Sequence, residues 1–312
     1  MSKSYYFIIA IALLIIFAGA DFCTAQETPS DAQIVDSLFL RASSGMVMFR
    51  DQEAPSKQAL IDMGAQAIPQ LLTKLDTRSA REMLVLSDVF KGIGEPAVEP
   101  LTKKLKARDD YIRRLAIRCL GDIGSAKAIN ALTAIAEHND YRTRSGVMSA
   151  LGKIGDPAGA AYVLKGLFDS DYSVATSAAV ACGKIKNKID PIALVEVLDH
   201  PYYGVRYSAM QSLIDIGELS VGPLMQYIQT HSVDISTGYA IEALGKIGSK
   251  QALPVYEQTL FWNDWAFRAF TAEALGDLRQ KKAKKLIEKA LKSETHPLVK
   301  GKLIAALAKY DK

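Results

Sequence analysis

The chain has 312 residues, 49% of them hydrophobic and 23% charged, with a net charge of +4. This is an ordinary globular composition, with enough chain for two conventional domains or one extended repeat domain. So weak a net charge argues against a nucleic-acid binder, and three cysteines make no disulfide framework.

Lys3 is the only charge before an uncharged run over residues 7–20, and a polar stretch over residues 21–30 follows. Ala18-Gly19-Ala20 and Cys23-Thr24-Ala25 both offer a small-x-small cleavage site, so residues 1–25 read as a secretory signal. About fourteen apolar residues fall short of the ~20 that span a bilayer, so cleavage is expected over a retained anchor. Lipid attachment at Cys23 is disfavoured because Asp21 and Phe22 replace the small residues such a signal carries. The expected address is the periplasm or cell envelope. Residues 26–56 read as a linker and capping helix: Ser30 or Asp31 can cap a helix carrying Ile34, Val35, Leu38 and Phe39, and Met46-Val-Met-Phe49 is a short apolar run.

From residue 57 to 312 one pattern recurs. Leu120-Gly-Asp-Ile-Gly124, Leu151-Gly-Lys-Ile-Gly155, Leu244-Gly-Lys-Ile-Gly248 and Leu275-Gly-Asp-Leu278 are its clearest copies. The final position falls on Gly64, Gly94, Gly124, Gly155, Lys186, Gly217, Gly248 and Arg279, in steps of 30 or 31. A period this constant predicts a stacked array of eight two-helix repeats, an all-α superhelix. The first helix of each repeat shows apolar residues at spacings of three and four, as in Ile68, Leu71, Leu72 and Leu75, with a proline near most starts. The second follows a turn rich in Asp and Asn and has a packing face of small residues, such as Ala178, Ala179 and Ala181. Gly after Leu removes a side chain at the tightest contact, and the last Gly ends the helix with a positive φ. Lys186 and Arg279 break that rule, and Asn187 is placed to take the left-handed role beside Lys186. Cys119 and Cys182 sit two repeats apart and read as buried apolar residues.

The sequence resembles HEAT-like repeats of the phycobilisome-lyase type over about residues 57–312. In such repeats an arginine of the second helix bonds an acid in a turn, which implies a structural ladder of Arg113, Arg144, Arg206 and Arg268. Members of the family are mostly protein-binding scaffolds and also include bilin lyases, an iron hydroxylase and DNA glycosylases, so fold alone fixes no activity. The hydroxylase-like members bind iron through His-Glu pairs, whereas His138, His200, His231 and His296 precede Asn139, Pro201, Ser232 and Pro297. Neither a metal nor a cofactor is expected.

In this architecture the second helices line the concave face, where the exposed column runs through Arg81, Tyr111, Arg114, Arg118, Arg142, Ser149, Ser173, Thr176, Tyr207, Gln211, Glu242 and Glu273. Basic residues in repeats two and three give way to acidic ones in six and seven, a gradient that orients a charge-asymmetric partner. The expected partner-binding residues are Arg114, Arg118 and Arg142 with an aromatic ridge of Tyr111, Tyr141, Tyr172, Tyr203, Tyr207, Trp262 and Trp265. Ten lysines against Glu288, Glu294 and Asp311 give residues 281–312 a charge of +7. Lys3 and Asp21 cancel, so residues 26–280 carry the difference, −3. The basic end solvates the last repeat and suits an anionic envelope surface. The expected function is a non-catalytic scaffold for a protein or extended peptide. The alternatives are a bilin lyase-like enzyme and an envelope glycan- or lipid-binding module.

Overall fold

A computed structural model describes residues 29–185, 189–231 and 233–310. The expected leader with Cys23, and the left-handed role expected of Asn187 beside Lys186, lie outside the described residues. Among the described residues every regular element is helical.

Eight helix pairs follow one another from Ile68 to Ala308. Their first helices are α3 (Ile68–Leu71), α5 (Val98–Lys104), α7 (Ile129–Thr133), α9 (Ala160–Gly166), α11 (Pro191–Glu196), α13 (Val221–Thr230), α15 (Leu253–Thr259) and α17 (Lys281–Ser293). Their second helices are α4 (Ala80–Ile93), α6 (Asp110–Ile123), α8 (Tyr141–Ile154), α10 (Tyr172–Ile185), α12 (Tyr203–Ile216), α14 (Ile235–Ile247), α16 (Trp265–Leu278) and α18 (Pro297–Ala308). An N-terminal pair, α1 (Asp31–Ser43) and α2 (Glu53–Asp62), precedes them.

The second helices are long because the sequence marks both of their ends. Asp109, Asp140, Asp234 and Asp264 accept backbone N–H bonds in the first turns of α6, α8, α14 and α16. Gly124, Gly155 and Gly248 end α6, α8 and α14 in the left-handed region. Arg279 takes the same conformation at φ 49°, the only non-glycine among the described residues with positive φ. Most first helices are shorter, with part of the apolar stripe carried on 3₁₀ turns: Leu72 and Leu75 fall in the 3₁₀ segment Leu72–Asp76.

Consecutive second helices lie against one another where the repeat glycine removes a side chain. A Cβ at Gly121 would sit 2.8 Å from Cα of Ala150, and one at Gly152 would sit 2.7 Å from Cα of Ala181. The buried apolar residues therefore form a core running the length of the array. The last first-helix, α17, buries Ala283, Ile287 and Ala290 and turns most of its lysines to solvent, as a terminal repeat requires.

At the N-terminus the Ser30 hydroxyl accepts the Gln33 N–H while the Gln33 side chain accepts the Ser30 N–H, a reciprocal cap. Val35, Phe39 and Ala42 of α1 are buried. The boundary expected at residue 56 falls inside α2, which packs against both α1 and α4. Within the expected cap of residues 26–56, the Met46–Phe49 run stands mostly in solvent: Val47 is 77% and Met48 72% exposed. The covering is done by α1, because the 3₁₀ segment Val47–Gln52 buries none of its residues.

Candidate binding wall

The second helices present one wall, and each repeat adds one strip to it. At the start of the strips, rings and guanidinium groups stack. Tyr111 lies between Arg78 and Arg114, whose central carbons are 4.0 and 4.7 Å from its centroid. Arg142 lies 5.0 Å from the Tyr141 ring. Tyr172 stacks on Tyr202 at 4.5 Å, Tyr203 on Tyr207 at 5.7 Å, and Trp265 on His296 at 4.6 Å. Tyr111, Tyr172, Tyr203, Tyr207 and Trp265 keep much of their surface in water. Tyr141 and Trp262 do not join this ridge in full. Both are half-buried against the core, with Trp262 edge-on to Phe267 at 5.6 Å.

The basic residues are not equally available. Arg114 bonds Asp140 at 3.3 Å and is half-buried, so part of its charge is spent holding the next turn. Arg118 approaches Asp122 at 3.7 Å and stays exposed. Arg142 is exposed with no ion pair among the described residues. Ser173, Thr176, Glu242 and Glu273 of the predicted column are also half-buried, while Arg81, Ser149, Tyr207 and Gln211 are exposed. The acidic strip is partly neutralised from the last repeat, Glu273 by Lys302 at 2.7 Å and Asp277 by Lys309 at 2.6 Å.

A trough of about 580 Å³ runs across the C-terminal ends of α4 to α12. Gly121, Gly152 and Gly183 form its floor, and Lys91, Asp122, Lys153, Lys184 and Asp215 stand around it. Apart from Lys91, these charged residues occupy the variable position of Leu-Gly-x-Ile-Gly. The sequence reading took that motif as structural throughout and missed them. Asp122 accepts the Ser87 hydroxyl and Lys153 at 2.5 Å. Burial pushes its carboxyl up, but these bonds and the charges of Lys153 and Arg118 outweigh it, leaving the pKa below the usual carboxylate range.

The four ladder arginines divide. Arg144 makes two bonds to Asp169 and Arg268 two to Glu294, each acid lying in the next repeat's turn. Arg113 bonds Asp110 of its own helix at 2.6 Å and the Ala107 carbonyl. Arg206 bonds the carbonyls of His200 and Pro201 and lies over the Tyr239 ring at 5.7 Å, and its buried Nε has no hydrogen-bond partner among the described residues. The cause lies one repeat on: Asp169 is 25 residues after Arg144, and at that distance from Arg113 and Arg206 stand His138 and His231.

Asp169 also accepts the Asp171 N–H at 2.9 Å, and His138 and His200 copy that second bond. Each accepts, through Nδ1, the backbone N–H two residues on, at 3.0 and 3.1 Å. Among the described residues no group of His, Cys, Asp and Glu could hold a metal ion, and no helix is long and apolar enough to cross a membrane. Cys119 and Cys182 are free and buried, and burial pushes both thiols up to about 12.

A model for HEAT repeats matches residues 98–182 and 221–308, more than half of the chain. The chain belongs to the HEAT-repeat family. Among solved structures, this HEAT protein is similar to Kap121p with 13% identity and a TM-score of 0.60, over 89% of this chain and 37% of that one. It also matches the Escherichia coli protein YibA, at 18% identity and a TM-score of 0.49 over 82% and 97%. A third is the CpcE–CpcF complex of phycocyanin lyase from Nostoc sp. PCC7120, at 17% and 0.37 over 94% and 100%. At these identities the likeness is one of fold. No curated protein matches the sequence.

Proposed function

We propose that this HEAT protein is a non-catalytic scaffold that holds an extended polypeptide along the wall of second helices, and that it works in the bacterial cell envelope after export. The observation that carries the reading is the wall itself. The second to fifth repeats offer Tyr111, Arg142, Tyr172 and Tyr203 in succession on an open surface, and the seventh adds Trp265. Large rings with few rotatable bonds, held by their neighbours, bind at low entropic cost. An open wall suits a long chain, whereas a small molecule is usually held in a pocket that buries most of it. Export rests on residues 1–25 alone.

Affinity purification from an envelope fraction tests the reading, with the wild-type chain beside R118E/R142E and Y172A/Y203A variants. Partners captured by the wild type should be lost from both variants while their circular dichroism stays helical. An unchanged set of partners would sink it.

A second reading has one observation of its own. Lys281, Lys282, Lys285, Lys289 and Lys292 are all exposed on α17, a basic face suited to an anionic surface. Co-sedimentation with phosphatidylglycerol vesicles, compared with phosphatidylcholine, separates it from the first.

A further inference from the structure

We infer that the trough bordered by Lys91, Lys153 and Lys184 receives an acidic stretch of that polypeptide, held in a polyproline-like conformation that sets one residue in three over each successive helix. This deepens the scaffold reading and depends on it.

Charge is the first ground. Along the array most lysines that reach toward the neighbouring repeat are neutralised there: Lys57 by Asp88, Lys127 by Glu95, Lys165 by Glu137, Lys302 by Glu273 and Lys309 by Asp277. The trough departs from this. Asp122 alone faces both Lys153 and Arg118. Lys91 and Lys184 are exposed and have no carboxylate within ion-pair distance among the described residues. Two unpaired cations thus border the trough.

The floor is the second ground. Gly121, Gly152 and Gly183 let α6, α8, α10 and α12 approach closely, so helix backbone borders the trough between the lysines.

Pitch is the third. Packed helices stand about 8–10 Å apart. A polyproline II chain climbs ~3.1 Å per residue with three residues per turn, so it repeats every ~9 Å and stays in step with the helices. A β-strand repeats its side-chain direction every ~6.6 Å and falls out of step. Lys91 lies on α4, Lys153 on α8 and Lys184 on α10, with Asp122 of α6 between the first two and Asp215 of α12 beyond the last. Matching charge to charge gives acids at i, i+6 and i+9, with a basic or neutral residue at i+3 and a basic one at i+12.

The test is fluorescence anisotropy with two labelled proline-rich peptides of one composition. One carries glutamates at i, i+6 and i+9 and lysines at i+3 and i+12, and the other has its three glutamates contiguous. The spaced peptide should bind about tenfold or more tightly than the contiguous one and weaken as salt rises. K91E and K184E, which break no ion pair or side-chain hydrogen bond among the described residues, should each reduce its affinity about tenfold, and K106A, on the turn after α5, should change it little. Equal binding of the contiguous peptide, equal binding of polyphosphate of matched charge, or unchanged affinity in K91E and K184E would overturn the inference. If neither peptide binds while the envelope partners are still captured, the trough assignment fails and the scaffold stands. If the partners are absent too, both fail.

Discussion

Arg144 and Asp169 lock two consecutive repeats together through parallel bonds, Nε to Oδ2 at 2.7 Å and Nη2 to Oδ1 at 2.8 Å. Both side chains are about 15% exposed, so each charge has given up most of its water for the other. Asp169 also accepts the Asp171 N–H at 2.9 Å and so holds the entry to α10. Removing one partner strands the other. D169A should therefore cost about 3 kcal/mol in urea unfolding, and R144A/D169A less than the sum of the single variants. A cost of D169A under about 1 kcal/mol would mean that the pair is no more than a surface contact.

Arg206 shows what the missing acid costs. Its Nε is buried without a hydrogen-bond partner among the described residues, and His231, in the place where Asp169 serves Arg144, stacks instead on Tyr227 at a ring separation of 3.8 Å. H231D would give Arg206 its carboxylate. A charge-assisted bond contributes about 1.5–3 kcal/mol, offset in part by the lost stacking, so H231D should stabilise by about 1 kcal/mol. The expectation is unusual, since most substitutions destabilise, and equilibrium unfolding of H231D with R206A as the paired control decides it.

These rungs show what the sequence made legible and what it did not. The array was readable because most copies carry their own instructions: an Asp cap such as Asp140, a small packing face such as Ala178 and Ala179, and a terminal glycine such as Gly155. The arginine ladder was readable only as a column of arginines, since Arg206 looks like Arg144 until the residue 25 positions on is checked. The trough was hidden for a different reason. Lys153 and Lys184 sit inside the motif that announces the fold, and the regularity of the motif drew attention from its one variable position. The Met46–Phe49 run shows that apolar residues in sequence do not say whether a surface remains to receive them, since α1 already covers the end.

Two glycines of α8 should respond to alanine in opposite directions. A Cβ at Gly152 would lie 2.6 Å from Cβ and 2.7 Å from Cα of Ala181, so α8 and α10 must separate. G152A should cost about 1–3 kcal/mol. At Gly146 the added carbon meets only Cγ2 of Ile117 at 3.5 Å, an ordinary contact. G146A should gain up to ~1 kcal/mol from helix propensity. Thermal melts of both variants check the pair, and the same sign for both would contradict the tight approach.

Arg279 ends α16 at φ 49° and ψ 36°, where other copies use glycine. Holding a residue with a Cβ in that region costs about 1–2 kcal/mol, and glycine gives back part of it through its freer unfolded chain. R279G should therefore stabilise by about 0.5–1 kcal/mol, read as a higher urea midpoint with an unchanged m-value. A lower midpoint would show that the arginine side chain contributes more than its backbone costs.

Acid should weaken the array in two stages with different causes. Burial, and then the charge of Arg206, hold the His200 pKa below the usual histidine range, and Nδ1 accepts the Tyr202 N–H only when that nitrogen is unprotonated. With a depressed folded-state pKa, the contribution of His200 is full above the unfolded value of ~6.5. It is lost as pH falls through the folded value, because the unfolded chain takes up the proton first. The second stage belongs to carboxylates. Arg268 and the His296 N–H, against some burial, lower the pKa of Glu294. At Asp169, burial is outweighed by the Arg144 bonds and the Asp171 N–H. Their contribution is present above the unfolded values of ~4 and disappears as pH falls below them. Unfolding free energy from urea titrations should thus be level near pH 8, step down from about pH 6.5, and fall again below about pH 4. In H200D the aspartate keeps an acceptor for the Tyr202 N–H and sets a negative charge beside Arg206, so the first step should shrink while the second remains. A first step of unchanged size in H200D would move its origin to another histidine.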